Sequence, residues 1–281
     1  MKWTTLVGVN ELAAALGNEE VRLVDARFSL MDAHGGGLGY QAAHLPGAVY
    51  ADLNLDLSEL AVPGQGRHPL PDQKYFAGKL GEWGIGPADQ VVIYDAGDGS
   101  MAAARLWWML KLLGHVRVAV LDGGLPAWRA KGLPETSHPV EPLARPAYPA
   151  GFDNSAIVST EEVLSRLHEA PGWLLDARAG ERFRAEVEPM DAVAGHVPGA
   201  VNRPIADNLE AGQFKSSAQL RAAIQPLLGG RSPQEVVLMC GSGVTACHLL
   251  LAMEHAGLHG ARVYAGSWSA WISNPARPIA R

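Results

Sequence analysis

The sequence predicts two consecutive α/β domains, each a mainly parallel sheet flanked by helices. Three observations carry this expectation. Four landmarks recur in the same order in both halves, the strands read as short apolar runs separated by helical stretches, and a proline-rich stretch divides the halves. At 281 residues the chain is long for a single hydrophobic core and suits two domains of about 120–150 residues. We expect a first domain over 1–137, a linker over 138–152 and a second domain over 153–281.

The first landmark is a strand ending in Asp-Ala-Arg: Val21–Arg27 in the first copy, Trp173–Arg178 in the second. The next is a turn, Ala43-His44-Leu45-Pro46-Gly47-Ala48-Val49, matched by Gly195-His196-Val197-Pro198-Gly199-Ala200-Val201. A third pairs the β-rich run Gln90–Asp95, before a helical stretch, with Glu235–Cys240. The fourth pairs Val118–Trp128 with Val263–Trp271, and Gly123 stands as far before Trp128 as Gly266 does before Trp271. Helices are expected over 10–16, 73–82 and 105–113 in the first copy, and over 159–168, 217–228 and 245–256 in the second. The stretch from Ser137 to Phe152 holds Pro139, Pro142, Pro146 and Pro149, shows neither period, and reads as the linker.

Composition narrows the function classes. Hydrophobic residues make up 48% and charged residues 19%, which fits a compact globular protein. A net charge of -6 without a Lys/Arg block argues against a nucleic-acid partner. No apolar run approaches the ~18 residues of a membrane span, and the first residues lack signal-peptide features. The two cysteines, Cys240 and Cys247, form neither a disulfide framework nor a zinc-ligand spacing, so a reducing, cytoplasmic setting is expected. A monomer or weak dimer is expected.

Chemistry concentrates after the strand that ends at Cys240. Gly241-Ser242-Gly243-Val244-Thr245 leads into a helix, and two glycines let the backbone turn its N–H groups inward. Those amides and the helix dipole favour negative charge, so Cys240 is expected as a thiolate nucleophile. A cysteine phosphatase would place an arginine six residues on to clamp phosphate, but that position is Ala246. Cys247 and His248 read as packing residues within the helix. The counterpart of Cys240 in the first copy is Asp95, which cannot act as a sulfur nucleophile.

With these motifs the chain resembles the tandem-domain rhodanese superfamily, and within it the mercaptopyruvate sulfurtransferases, over about Glu11 to Trp271. The resemblance rests on Asp25 with His44–Ala48, Asp176 with Gly195–Ala200, and above all Cys240-Gly241-Ser242-Gly243-Val244-Thr245. It implies two rhodanese-like domains, with only the second carrying the nucleophile. It implies 3-mercaptopyruvate as sulfur donor, a persulfide on Cys240, release of pyruvate, and a thioredoxin-like protein, small thiol or cyanide as acceptor. No metal or organic cofactor is implied. Thiosulfate-preferring relatives carry basic residues directly after the cysteine, where this chain has Gly241 and Ser242.

By the same resemblance Arg182 holds the donor; the loop residues Gly241, Gly243, Val244 and Thr245 are expected to bind it through their amides, and Arg105, which follows the first copy's loop, is expected to point toward the same cleft. Ser242 and His68 match the serine and histidine of a proton relay, His68 being supplied by the first domain. Arg178, Asp25 and Asp176 read as scaffold, and Ser267 and Trp268 as pocket lining. Two departures stand out. The relay's aspartate position falls on or near Asn54, with Asp52 and Asp56 as substitutes. A second donor-binding arginine is expected after Glu188-Pro189, where this chain has Met190, so Arg182 or a basic residue from elsewhere must carry that task.

Overall fold

The computed structural model describes residues 2–32, 34–99 and 101–281. The chain divides into two compact units, Met1–Ser58 with Pro71–Asp153, and Glu59–Leu70 with Asn154–Arg281. Among the described residues, no helix is long and apolar enough to cross a membrane.

In the first unit, β1 (Leu6–Val7), β2 (Val21–Asp25), β3 (Ala48–Tyr50), β4 (Gln90–Tyr94) and β5 (Val118–Leu121) form one sheet in the order β1-β5-β4-β2-β3. Every pairing in it is parallel. This explains why its central strand β4 is buried along its whole length and shows no polar alternation. The helices are α1 (Val9–Ala15), α2 (Gly35–Ala42), α3 (Gln73–Glu82), α4 (Ala102–Leu112) and α5 (Gly124–Ala130). Asp72 starts α3 by accepting the N–H groups of Lys74 and Tyr75. The unexpected α2 begins with three glycines, whose weak propensity hides it from a sequence reading.

The second unit holds β6 (Leu174–Asp176), β7 (Val201–Asn202), the antiparallel hairpin β8 (Leu209–Glu210) and β9 (Gln213–Phe214), β10 (Val237–Met239) and β11 (Arg262–Val263). Its main sheet runs β11-β10-β6-β7, again all parallel. Around it lie α6 (Thr160–Ser165), α7 (Gly180–Phe183), α8 (Ser217–Ile224), α9 (Thr245–His255) and α10 (Ser267–Trp271). α8 stops short of the expected residue 228 because Pro226 lacks an N–H, and a 3₁₀ turn, Gln225–Leu228, completes the segment. Trp173, Leu174, Val237, Met239, Tyr264, Trp268 and Trp271 belong to one buried core.

The duplication is visible atom by atom. Arg27 chelates Asp25 and donates to the Ala43 carbonyl at 2.9 Å, while Arg178 chelates Asp176 and donates to the Gly195 carbonyl at 2.8 Å. His44 stacks on Tyr40, and His196 on Phe183. Trp128 donates to the Pro134 carbonyl at 3.0 Å, and Trp271 to that of Pro278 at 2.9 Å. The equal spacing read in the sequence therefore preserves a common hydrogen-bond frame.

Two segments fall elsewhere than the sequence reading put them. The proline-rich stretch expected as a linker packs with the first unit: the Arg145 and Tyr148 N–H groups bond the carbonyls of Gly81 and Ala77 on α3. Residues Glu59–Leu70, expected within the first domain, belong to the second unit. Their loop is closed by the Glu59 N–H on the Pro69 carbonyl. Neither segment has a period, so composition could not reveal what it would bond to.

Candidate active site

The site begins where β10 ends. Cys240 follows that fully buried strand and is itself only 1% exposed. Its sulfur accepts the Gly243 N–H at 3.1 Å. The Cys240 and Gly241 carbonyls accept the N–H groups of Trp268 and Ser269 on α10. A trans peptide points its N–H opposite its C=O, so the Gly241 and Ser242 amides must face away from α10. Among the described residues no acceptor takes the N–H of Gly241, Ser242, Val244 or Thr245. Val244 caps α9 and Thr245 is its first residue, so these unclaimed donors sit at a helix N-terminus.

Gly243 is required by geometry. Its φ is +78°, and a Cβ there would lie 2.1 Å from the Ala265 carbonyl oxygen. Ser267 secures the other side of the loop. Its hydroxyl accepts the Cys240 N–H at 3.1 Å and donates to the Tyr264 carbonyl at 2.9 Å. Cys247 lies in the first turn of α9, fully buried, with its thiol donating to the Gly243 carbonyl at 3.2 Å. His248 is also fully buried and stacks on Phe214 at 4.5 Å between ring centroids.

His68 reaches the loop from the segment Glu59–Leu70. Its Nδ1 lies 2.9 Å from the Ser242 hydroxyl, and both side chains are buried. Gly66 makes this approach possible: at φ +96° a Cβ would come within 2.5 Å of the Gly266 carbonyl oxygen. The next residue then docks through its N–H on the Ser269 hydroxyl at 3.0 Å. The sequence reading made His68 a contribution of the first domain. Its segment instead belongs to the same compact unit as Cys240.

Arg182, on α7, is fixed by two carboxylates: Nη2 lies 2.7 Å from Glu188 and 3.0 Å from Asp191. Burial pushes the Glu188 carboxyl up, but Arg182 and the Met190 and Asp191 amides outweigh it and hold it below the ordinary range. Asp191 also pairs with Arg67, whose Nη1 lies 2.7 Å away. A Cβ added to Gly241 would stand 3.3 Å from Arg67 Nη2 and 3.6 Å from both terminal nitrogens of Arg182. Both guanidinium groups therefore lie beside the residue that follows the cysteine. Arg178 is 1% exposed, pairs with Asp176 at 2.6 Å and lies 3.7 Å from Glu188. Burial would lower this guanidinium, but Asp176, with smaller contributions from Glu188 and Cys240, raises it.

The structure thus brings Cys240, Ser242, His68, Arg182 and the loop residues into one unit. Arg105 behaves differently: on α4 it is completely buried, with its guanidinium 5.3 Å from the Trp108 ring. Asp52 and Asp56 are engaged in their own turn, Asp52 accepting the Asn54 and Leu55 N–H groups and Asp56 accepting that of Asp52. The sequence reading missed Arg67, Glu188 and Asp191 as a linked group. The only available signal was adjacency, since Arg67 precedes His68 and Glu188 and Asp191 flank Pro189-Met190.

These features define a protein of two parallel α/β units, the second presenting a cysteine in an amide-lined loop before a helix. A family model for the rhodanese-like domain matches residues 8–131 and again 159–274. A probable 3-mercaptopyruvate sulfurtransferase of Pseudomonas aeruginosa is 46% identical, covering 100% of this chain and 99% of the relative. A putative thiosulfate sulfurtransferase of Mycobacterium tuberculosis is 38% identical, over 98% of this chain and 96% of its own. The solved structure of a 3-mercaptopyruvate sulfurtransferase from Leishmania major superposes with a TM-score of 0.83 at 32% identity, covering 95% of this chain and 73% of that one. The chain belongs to the rhodanese-like family, in two copies, and is a sulfurtransferase.

Proposed function

We propose that the donor is 3-mercaptopyruvate and that Cys240 carries the transferred sulfur. The Cys240 thiolate attacks the donor's sulfur, an S–S bond forms and the donor's C–S bond breaks. A persulfide remains on the enzyme and the carbon fragment departs as the enolate of pyruvate. That enolate must gain a proton at carbon, and the Ser242 hydroxyl, in line with His68, is the relay we assign to the task. Amides of the loop offset the sulfur's charge before and after transfer. Arg182 holds the carboxylate.

The observation that carries this reading is the 2.9 Å contact between His68 Nδ1 and the Ser242 hydroxyl. A buried proton relay beside the nucleophile suits an enolate leaving group. Sulfite leaving from thiosulfate is a stable anion and needs no such proton. The uncharged Gly241 and Ser242 also suit a carboxylate-bearing thiol better than a dianion. The persulfide then passes its outer sulfur to a thioredoxin-like protein, a small thiol or, in the test tube, cyanide. We place the reaction in a reducing, cytoplasmic setting and treat the protein as a monomer or weak dimer. Arg105 is left out of the proposed donor-binding set.

The test is a donor comparison with wild type and Cys240→Ser. We expect pyruvate release from 3-mercaptopyruvate, its loss in the variant, and a reducible gain of about 32 Da on Cys240 when donor is supplied alone. A higher kcat/KM with thiosulfate would replace the donor. Unchanged turnover in Cys240→Ser would remove the nucleophile.

A further inference from the structure

We propose that the first unit holds a binding site for a carboxylate with an apolar body, seated in a cavity that sulfur transfer at Cys240 does not use. The cavity measures about 530 Å³, within the range of roughly 300–1,000 Å³ that small-molecule sites occupy. It lies where β2 starts and the Pro46-Gly47 turn leads into β3, beside the end of α1, the Trp83-Gly84 end of α3 and the proline-rich stretch. Leu23, Val49 and Trp83 supply apolar wall. Leu143, on the proline-rich stretch, stands at the rim and is 89% exposed.

The second copy shows that the scaffold does not require this opening. Counted back from the strand-end aspartates Asp25 and Asp176, Ala15, Val21 and Arg22 correspond to Arg166, Gly172 and Trp173. Counted back from Asp95 and Cys240, Trp83 corresponds to Leu228. Gly172, at φ +108°, packs so closely that a Cβ would lie 2.8 Å from the Leu228 carbonyl. Valine at the matching place in the first copy carries that Cβ, so the start of β2 and the end of α3 must stand further apart. Trp173 is completely buried, with the Arg166 guanidinium 4.6 Å from its ring and donating to Glu169 at 2.7 Å. The first copy replaces the tryptophan with Arg22 and the covering arginine with Ala15, which lines the cavity. What the second copy fills with its own side chains, the first leaves open.

Charge sets the ligand class. Arg22 and Arg145 are the charged side chains on the wall, and both lean on one carboxylate, Asp89, at 3.8 and 2.6 Å. Two cations against one anion leave a single positive charge, which suits a monoanion. Arg22 donates from Nε to the Gly84 carbonyl and from Nη1 to that of Glu19, and Arg145 donates from Nη1 to Asp89. Among the described residues, no acceptor takes a hydrogen bond from Arg22 Nη2 or from Nε and Nη2 of Arg145. A carboxylate accepts from guanidinium donors of this kind, while the apolar wall takes up its hydrocarbon body.

The test is calorimetric titration of the full chain with octanoate and with octanamide, its neutral counterpart. We expect one octanoate per chain, octanamide at least about tenfold weaker, and a thermal midpoint that rises with octanoate concentration. Arg145→Gln should weaken octanoate about tenfold, and Ala15→Leu, which adds bulk to the wall and keeps both arginines, should do the same. Failure of octanoate to bind saturably overturns the proposal, as does an equal affinity for octanamide or an affinity that Arg145→Gln leaves intact. If Ala15→Leu lowers the thermal midpoint of the ligand-free chain, Arg145→Gln, on the outer stretch, decides alone. A dimer that forms with rising protein concentration and is lost in Arg145→Gln gives the cavity to a second copy of the chain and overturns the small-molecule site.

Discussion

Ser267 offers a prediction that isolates one backbone conformation. Its φ is +52°, in the left-handed region that a side chain makes costly, and it is completely buried. The corresponding residue of the first copy is Gly124, at φ +53°. Holding a residue with a Cβ in this region costs about 1–2 kcal/mol. The serine hydroxyl offsets that cost by accepting the Cys240 N–H and donating to the Tyr264 carbonyl. Ser267→Ala keeps the strain and strands the Cys240 N–H, a loss of about 1–3 kcal/mol. Ser267→Gly loses the same bonds but releases the strain, partly countered by about 0.5–1 kcal/mol of extra chain entropy. The glycine variant should therefore be the more stable of the two by up to about 1 kcal/mol, the reverse of the ordinary ranking. Urea unfolding at neutral pH reads this out, and both variants should also lower turnover because the Cys240 backbone is no longer tied. An alanine variant as stable as the glycine variant or more so would refute the reasoning.

Gly243→Ala forces a Cβ against the Ala265 backbone oxygen, so we expect a loss above about 3 kcal/mol and turnover reduced about 100-fold; a wild-type urea midpoint would contradict this. Gly241→Ala meets only side-chain ends and has no positive φ, so its stability should stay within about 0.5 kcal/mol while KM for 3-mercaptopyruvate rises; a lower urea midpoint with unaltered KM would count against it. Glu188, held below its ordinary value of 4.5, lends stability that is complete above that value and drains away as pH falls through the lower folded value. Glu188→Gln should flatten the acid limb of a stability-against-pH curve measured from pH 6 down to about 3, and an unchanged slope would exclude Glu188 as its source.

The fold was legible because it is written twice. Asp25-Ala26-Arg27 and Asp176-Ala177-Arg178 mark strand ends by a local ion pair, and a local pair depends only on near-neighbour sequence. Cys240, Gly243 and Ser242 were legible for the same reason, since a strand, a turn and a helix start in consecutive residues define their geometry. The Arg67–Asp191–Arg182 network was not. It joins residues 124 apart through a segment of no periodicity, and nothing local tells that Gly66 lets that segment reach α10. Arg105 misled in the opposite sense. Its place soon after the first copy's loop suggested a ligand contact, whereas the side chain is completely buried, with its guanidinium beside the Trp108 ring.

The paired loops show why one chemistry survives in only one of them. In the first, Asp95 Oδ1 accepts the Gly97 and Gly99 N–H groups at 3.0 Å each, and Oδ2 that of Met101 at 3.4 Å. A carboxylate has two oxygens and several lone pairs, so it can claim the turn's amides by itself. Burial pushes the Asp95 carboxyl up, with the Gly99 and Gly97 amides opposing. Cys240 offers a single sulfur and takes one amide, Gly243, leaving its neighbours unclaimed. The exchange of Asp for Cys therefore does two things at once: it removes the nucleophile, and it fills the anion cradle from within. The first copy also has Phe28-Ser29-Leu30-Met31 after Arg27, with no arginine to match Arg182. Scaffold and chemistry have separated along the duplicated chain, and the ion-paired strand end is the part that both halves retain.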